Sequence, residues 1–123
     1  MSSWATGKIR PLVLDVRHAN HSVCLELGLD ADLFQFQGHF PNHPILPGVA
    51  QLDWAVRFSR EYLELSCDIR QVTKLKFKQL VLPEEPIALQ LDYAPSKHCV
   101  MFEYRDHQGA PCSSGIIHLD PAT

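Results

Sequence analysis

A proline-rich stretch from Gly38 to Trp54 constrains this chain more than any other feature. It holds three of the nine prolines, at Pro41, Pro44 and Pro47. Because proline fixes φ and has no backbone N–H, these residues exclude a helix over 40–46 and disfavour a strand there. Residues 48–65 contain no proline, and their apolar residues recur at helical spacing. The sequence therefore predicts a stiff loop that runs directly into a helix from about Gly48 to Leu65.

This loop and helix carry residues suited to acid–base chemistry. His39 lies in the loop, and Asp53 follows fourteen positions later in the helix. Histidine has an unperturbed pKa that suits a base near neutral pH, and an Asp on a buried apolar helix face would have a raised pKa. The helix start at Gly48 offers backbone N–H groups without intrahelical partners to a substrate oxygen. We therefore predict a reaction centre here.

A metal site is not predicted. His39 and His43 have the i, i+4 spacing of a helical metal-binding pair, but the surrounding prolines exclude that helix. The four cysteines are scattered, without a Cys-x-x-Cys pair, at Cys24, Cys67, Cys99 and Cys112. This pattern predicts reduced thiols in a cytoplasmic protein and gives no zinc-ligand spacing.

Composition narrows the class of protein further. The 123 residues suit one domain, 1–123, and 46% hydrophobic with 20% charged residues is ordinary for a globular protein. A net charge of −3 gives no electrostatic case for nucleic acid or for an anionic membrane. No apolar run approaches a membrane span, and the N-terminal residues lack the apolar core of a secretory signal.

Alternating apolar residues predict six strands around the single helix. The predicted strands are Ile9–His18, Val23–Leu29, Ile69–Phe77, Ile87–Tyr93, Val100–Tyr104 and Cys112–Leu119. On the first strand Leu12, Leu14 and Val16 are predicted to share one side, and on the third strand Ile69, Thr73, Leu75 and Phe77 are predicted to share one side. The first two form a hairpin, and the last three form meanders. An α+β fold follows, with an antiparallel six-stranded sheet wrapped round one long central helix. Edge pairing of two copies would cover the open sheet edges, so we predict a homodimer.

The first half of the helix is nearly apolar all round and is therefore predicted to be buried. Val49, Leu52, Val56 and Leu63 form the main apolar stripe, and Ala50, Trp54, Ala55 and Phe58 widen it. Trp54 and Phe40 either belong to the core or line a substrate tunnel.

The motif resembles the signature of the FabA/FabZ family of 3-hydroxyacyl-[acyl-carrier-protein] dehydratases. That pattern, His-Phe-x-x-x-Pro-x-x-Pro-Gly with an acid fourteen residues after the His, is matched here from His39 to Asp53. The run from Pro47 to Trp54 is most similar to the small ApeI-type dehydratases of aryl polyene biosynthesis. The matched residues cover about a sixth of the chain.

The resemblance implies a hot-dog fold and a hydro-lyase that needs no cofactor. The reaction would convert a 3-hydroxyacyl thioester on acyl carrier protein to the trans-2-enoyl form, in fatty acid or aryl polyene chain elongation. By the same resemblance, His39 is the base, Asp53 of the partner subunit is the acid or hydroxyl ligand, and Gly48 supplies the oxyanion N–H.

Three lysines have two possible roles, and two other functions are compatible with the sequence. Lys74, Lys76 and Lys78 lie on one face of a predicted strand, either as a solvated edge or as a contact for the acidic carrier protein. A hot-dog acyl thioesterase would use an acid and water without the paired His. A non-catalytic acyl-binding module would tolerate loss of His39.

Overall fold

A computed structural model of the chain describes residues 10–31, 33 and 45–121. Its elements are β1 (Leu12–Ala19), β2 (Ser22–Gly28), α1 (Gly48–Tyr62), β3 (Ile69–Phe77), β4 (Ile87–Ala94), β5 (Cys99–Arg105) and β6 (Pro111–Leu119). The predicted order of two strands, one helix and four strands is confirmed. A 3-10 turn, Pro95–Lys97, joins β4 to β5 at the predicted turn.

The six strands form one antiparallel sheet in the order β1-β2-β4-β5-β6-β3. The predicted β1–β2 hairpin and the β4–β5–β6 meander are both present. Helix α1 packs on one face of this sheet, and β1 and β3 form the two edges. The hot-dog arrangement implied by the motif is therefore confirmed.

The core lies between α1 and the inner face of the sheet. Alternate residues of each central strand point inward, since successive strand side chains face opposite sides of a sheet. The fully buried strand side chains include Val23, Leu25, Leu27, Leu89, Leu91, Val100, Tyr104 and Ile117. The helix adds Trp54, Ala55 and Phe58. This face of α1 is consequently fixed against the sheet.

The predicted end of the helix is wrong. α1 ends at Tyr62, and Leu63 is its C-cap. Glu64 then adopts a positive φ of 55°, a left-handed conformation that cannot continue a right-handed helix. The run of apolar residues beyond Tyr62 continues into the connection to β3 and not into a further helical turn.

The prediction that the first half of the helix is buried on nearly every side is also wrong. Val49 is 76% exposed, and Leu52 and Val56 are only partly buried. The residues expected merely to widen the stripe form the buried face: Ala50, Trp54, Ala55 and Phe58. Because this half of α1 is apolar on nearly every side, periodicity could not select the face that meets the sheet. The helix is buried on one side only within this chain.

Two edge strands depart from simple alternation because each contains a bulge. In β1 the register shifts between Val13 and Asp15, so Val13 and Val16 pack on the core while Leu12 and Leu14 are exposed. The prediction that Leu12, Leu14 and Val16 share one side is therefore wrong.

In β3 the register shifts between Thr73 and Lys76, where two residues face one on β6. Thr73 pairs with Ile116 and Lys76 pairs with Ser114 on the outer face of the sheet. The prediction that Thr73 shares a face with Leu75 is wrong, because the extra residue reverses the alternation.

Cys24, Cys67, Cys99 and Cys112 are all free thiols in the structure. Within the described part of the chain, no helix combines the length and the apolar character that crossing a membrane requires.

Candidate active site

Two of the three residues predicted to carry the chemistry lie on α1. Gly48 is its first residue, and Asp53 follows five residues later. That separation is about 7.5 Å along the helix axis. His39, with Phe40 and His43, lies outside the described residues, so its predicted role as the base stays a prediction.

The start of α1 presents free backbone donors. Pro47 is the N-cap residue and makes no side-chain cap, and the first turn contains no acid. The N–H groups of Ala50 and Gln51 both donate to the Pro47 carbonyl, at 3.1 Å each. Among the described residues, the N–H groups of Gly48 and Val49 have no acceptor. This end of the helix can therefore donate to an anionic or polarised oxygen.

Gly48 also leaves space that a side chain would fill. A Cβ atom at this position would lie 2.6 Å from Cζ of Phe77 and 2.7 Å from its Cε1 atom. Phe77 ends β3, and its ring is 51% exposed. Gly48 does not adopt a positive φ, so a side chain here would meet the ring and would not strain the backbone.

Asp53 is half exposed in this chain, which corrects the expectation that it lies on a buried helix face. Its side chain is 50% exposed, and its Oδ2 atom accepts a hydrogen bond of 2.8 Å from Nε of Arg57, one turn further on. An exposed i, i+4 ion pair of this kind contributes only a few tenths of a kcal/mol to stability. The carboxylate is thus held in one direction while remaining accessible from outside the chain.

An exposed apolar surface lies beside these residues. Its exposed members are Val49, Leu75, Phe77, Leu80 and Leu82. Phe77 contacts the Gly48 position, and the Leu46 N–H donates to the Val81 carbonyl at 2.8 Å, so the helix start and the segment after β3 adjoin. Large adjacent apolar side chains at an edge strand are typical of an interface.

A buried hydrogen-bond network behind Gly48 was not predicted. Gln51 is 3% exposed, and its side chain bonds both to Leu46 and to Ser113, while Tyr104 bonds to its carbonyl. The signal for it was present, because a glutamine in an otherwise apolar half-helix must find partners when buried. Burial, and secondarily the negative charge of Asp53, raise the pKa of Tyr104 well above its usual value. Tyr104 therefore stays a neutral hydrogen-bond donor.

The three predicted lysines do not share one environment. Lys74 and Lys76 line a groove of about 620 Å³ on the outer face of the sheet, opposite α1. Lys78 follows the end of β3, where its N–H donates to the Cys112 carbonyl. Lys78 follows Phe77, whose ring contacts the Gly48 position at the helix start. Lys74 and Lys76 line the groove on the other side of the sheet.

No cluster of three or more His, Cys, Asp or Glu side chains in residues 10–31, 33 and 45–121 could hold a metal ion. The chemistry that the described groups can perform is hydrogen-bond donation by the helix start and proton exchange or hydrogen bonding by the Asp53 carboxylate.

Comparison with known proteins identifies the family. The family model described as ApeI-like, ApeI dehydratase, matches residues 15–116. No curated protein sequence matches the chain significantly.

Solved structures agree with the family match. The dehydratase heterocomplex ApeI:P from Xenorhabdus doucetiae matches with a TM-score of 0.85 at 31% identity, covering 90% of this chain and 98% of that one. An uncharacterized protein from Erwinia carotovora subsp. atroseptica matches with a TM-score of 0.77 at 36% identity, covering 91% and 95%. The E. coli PaaI protein, at 11% identity and a TM-score of 0.62, shares the fold over 84% of this chain and 79% of its own. The chain therefore belongs to the ApeI-like family of hot-dog dehydratases.

Proposed function

We propose that this protein removes water from a 3-hydroxyacyl thioester carried by acyl carrier protein and releases the trans-2-enoyl thioester. The observation that carries the proposal is the dehydratase family match over residues 15–116, which includes the whole stretch from His39 to Asp53. We propose further that it acts in the cytoplasm, in chain elongation of the fatty acid or aryl polyene type.

Each residue has a role that balances the reaction. His39 takes the proton from C2, and the electrons form the C2–C3 double bond as the C3–O bond breaks. Asp53 of the partner subunit, protonated for this step, gives its proton to the departing hydroxyl, which leaves as water. The proton held by His39 then returns to Asp53, so both groups are restored for the next turnover. The Gly48 N–H donates to the thioester oxygen while negative charge develops there. No redox step or cofactor is needed in this scheme.

The exposure of Asp53 supports a site shared between two chains. Asp53 and Val49 both face away from the sheet, and the apolar surface beside them is open. A second copy placed on this surface would bury the carboxylate. A homodimer is thus the assembly that we propose.

A different second subunit is the alternative assembly, because the Xenorhabdus doucetiae relative belongs to a heterocomplex. Native mass spectrometry and an activity assay of the protein expressed alone distinguish the homodimer from the heterocomplex. An active homodimer supports our proposal, and an inactive monomer that gains activity only with another subunit supports the heterocomplex.

The decisive experiment is intact mass spectrometry of a 3-hydroxyacyl carrier protein incubated with the wild-type protein. Loss of one water in the wild type, absent in His39→Ala and strongly reduced in Asp53→Asn, is expected. Release of free carrier protein would indicate a thioesterase, and an unchanged acyl carrier would favour a binding module.

The proposed contact with the carrier protein can be tested by substituting each lysine separately. We propose that Lys74, Lys76 and Lys78 attract the acidic carrier, and Lys78 has the strongest case because it follows Phe77 directly. Lys78→Glu should raise KM for the carrier-bound substrate and leave the coenzyme A thioester unaffected. Lys74→Glu and Lys76→Glu make the same test at the outer groove. A substitution that changes KM equally for the carrier-bound and the coenzyme A substrate would exclude a docking role for that lysine.

A further inference from the structure

The first turn of α1 is held from the core side by three hydrogen bonds centred on Gln51. Nε2 of Gln51 donates to the Leu46 carbonyl at 3.0 Å, and Oε1 accepts from Ser113 Oγ at 2.6 Å. The Tyr104 hydroxyl donates to the Gln51 carbonyl at 2.7 Å. All three side chains are essentially inaccessible to water.

The bond between Gln51 and Leu46 joins the two ends of a short segment that contains Gly48. Leu46 precedes the helix, and its carbonyl is tied to Gln51, one turn inside it. The Leu46 N–H is tied in turn to Val81. The residues between, 47–50, are therefore fixed at both ends to parts of the core.

The network also ties this turn to the sheet. Ser113 lies on β6 and Tyr104 on β5, where they are a directly paired couple. Both side chains point to the helix side, and both bonds end on the same residue. Phe77 pairs with Ser113 from the neighbouring strand and has its ring against Gly48. The polar network and this aromatic ring therefore both adjoin the helix start.

A network placed only for stability need not converge on this turn. Buried polar groups are costly unless every partner is made, and an apolar residue at position 51 would pack the same core without that requirement. What the network adds is orientation, because an amide with both ends bonded permits one rotamer only. The direction of the Gly48 N–H follows from that constraint.

We propose that Gln51 is a positioning residue that, with Ser113 and Tyr104, fixes the direction of the Gly48 N–H. This rests on the proposed function, in which that N–H meets the thioester oxygen. Gln51 itself need not touch the substrate.

The test removes one hydroxyl group at a time from the hydrogen-bond network centred on Gln51. Ser113→Ala and Tyr104→Phe each delete one bond, and Ser113→Thr keeps the hydroxyl. Ser114→Ala is the matched control, since Ser114 lies on the same strand and faces the outer groove. Tyr93→Phe controls for loss of a tyrosine hydroxyl on β4.

In Ser113→Ala and Tyr104→Phe, kcat should fall about ten-fold or more, because small misplacement of a catalytic group is costly. KM should change less than about two-fold, since ground-state binding is retained. Ser113→Thr should recover most of the turnover, and both controls should keep it. In a Gln51→Ala background, Ser113→Ala should have little further effect.

A second readout does not depend on turnover. Glycine-selective ¹⁵N labelling reports the Gly48 amide, whose shift and hydrogen exchange should change in Ser113→Ala and stay unchanged in Ser114→Ala. If the Gly48 amide changes in Ser113→Ala but the wild-type protein shows no dehydratase activity, the positioning role is upheld and the proposed reaction is overturned. An unchanged amide, or kcat losses that merely track the folded fraction, would overturn the positioning role while leaving the dehydratase intact.

Discussion

At the scale of single residues, a few side chains fix local geometry that no alternation pattern describes. The clearest case outside the site is Asp106, at the turn between β5 and β6. Its Oδ1 atom accepts hydrogen bonds from the N–H groups of Ala110 and Gln108 at 2.9 Å each, and its Oδ2 atom accepts from Gln79 at 3.1 Å. Gly109, at a φ of 85°, completes the turn.

Asp106→Asn should lower stability in a pH-dependent way. The hydrogen bonds, chiefly that from the Ala110 N–H, lower the pKa of Asp106 below its usual value of about 3.9. A carboxyl with a lowered folded-state pKa stabilises the protein above the unfolded-state pKa, and this contribution is lost as pH falls through the folded-state pKa. The difference between wild type and variant should therefore be largest near neutral pH and shrink below about pH 4. Urea unfolding across this range measures it, and a difference independent of pH would contradict the prediction.

Gly48→Ala should separate stability from turnover. Alanine favours a helix over glycine by about 1 kcal/mol, and the exposed Phe77 ring can rotate away from the new methyl group. The free energy of unfolding should therefore change by less than about 1 kcal/mol. Turnover should fall about ten-fold or more, because the methyl group or the displaced ring would obstruct the N–H.

Repeating Gly48→Ala in a Phe77→Ala background provides the control. Turnover should stay low there if the methyl group itself blocks the substrate. Recovery to the level of Phe77→Ala alone would mean that glycine serves only the packing of the ring.

At the scale of elements, the edge strand β3 shows how a bulge redistributes side chains. Lys74 adopts a positive φ of 52° inside the bulge, a conformation that costs a non-glycine residue roughly 1–2 kcal/mol. The bulge places Thr73 on the outer face with Lys74 and Lys76, while Leu75 and Phe77 lie on the helix side. The alternation of side chains before the bulge is therefore reversed relative to the alternation after it.

Substitutions at the bulge should respond to backbone conformation and not to charge. Lys74→Gly should stabilise the protein by roughly 0.5–1 kcal/mol, after the larger entropy of glycine in the unfolded chain is subtracted. Lys74→Val should destabilise it by about 1–2 kcal/mol, because β-branched residues avoid positive φ. Lys76→Val removes the same charge in an ordinary strand conformation and should change stability little. Thermal unfolding compares the three, and equal effects of the two valines would exclude bulge strain as the cause.

At the scale of the whole molecule, the two sheet edges differ in what adjoins them. The β3 edge lies beside the helix start and several exposed apolar residues, whereas Leu12 and Leu14 are the large exposed apolar side chains that the structure describes on the β1 edge. If two chains share a site, they should meet at the β3 edge.

Leu75→Glu should therefore dissociate the proposed dimer and abolish turnover together. Leu75 is 41% exposed on the β3 edge, and a buried unpaired charge there would disfavour association. Leu14→Glu, at 49% exposure on the opposite edge, is the matched control and should stay dimeric and active. Sedimentation velocity measures the assembly, and a monomeric, active wild type would contradict a shared site.

The sequence by itself determined the order of elements, the helix start at Gly48 and the family. These depend on short-range effects: proline geometry, strand alternation and a motif whose residues are close in the chain. Placement of Gly48 and Asp53 on one helix followed from the same local pattern, while the role of His39 stays a prediction.

Only the tertiary structure decided which face of α1 is buried, where the strands bulge, and what holds Gly48. The first half of the helix is apolar on nearly every side, so only contact with the sheet could select the face with Trp54 and Phe58. The bulge at Lys74 depends on pairing with β6, and the Gln51 network joins residues up to 62 positions apart. Such features come from packing between distant segments, and that packing has no signature in any one segment.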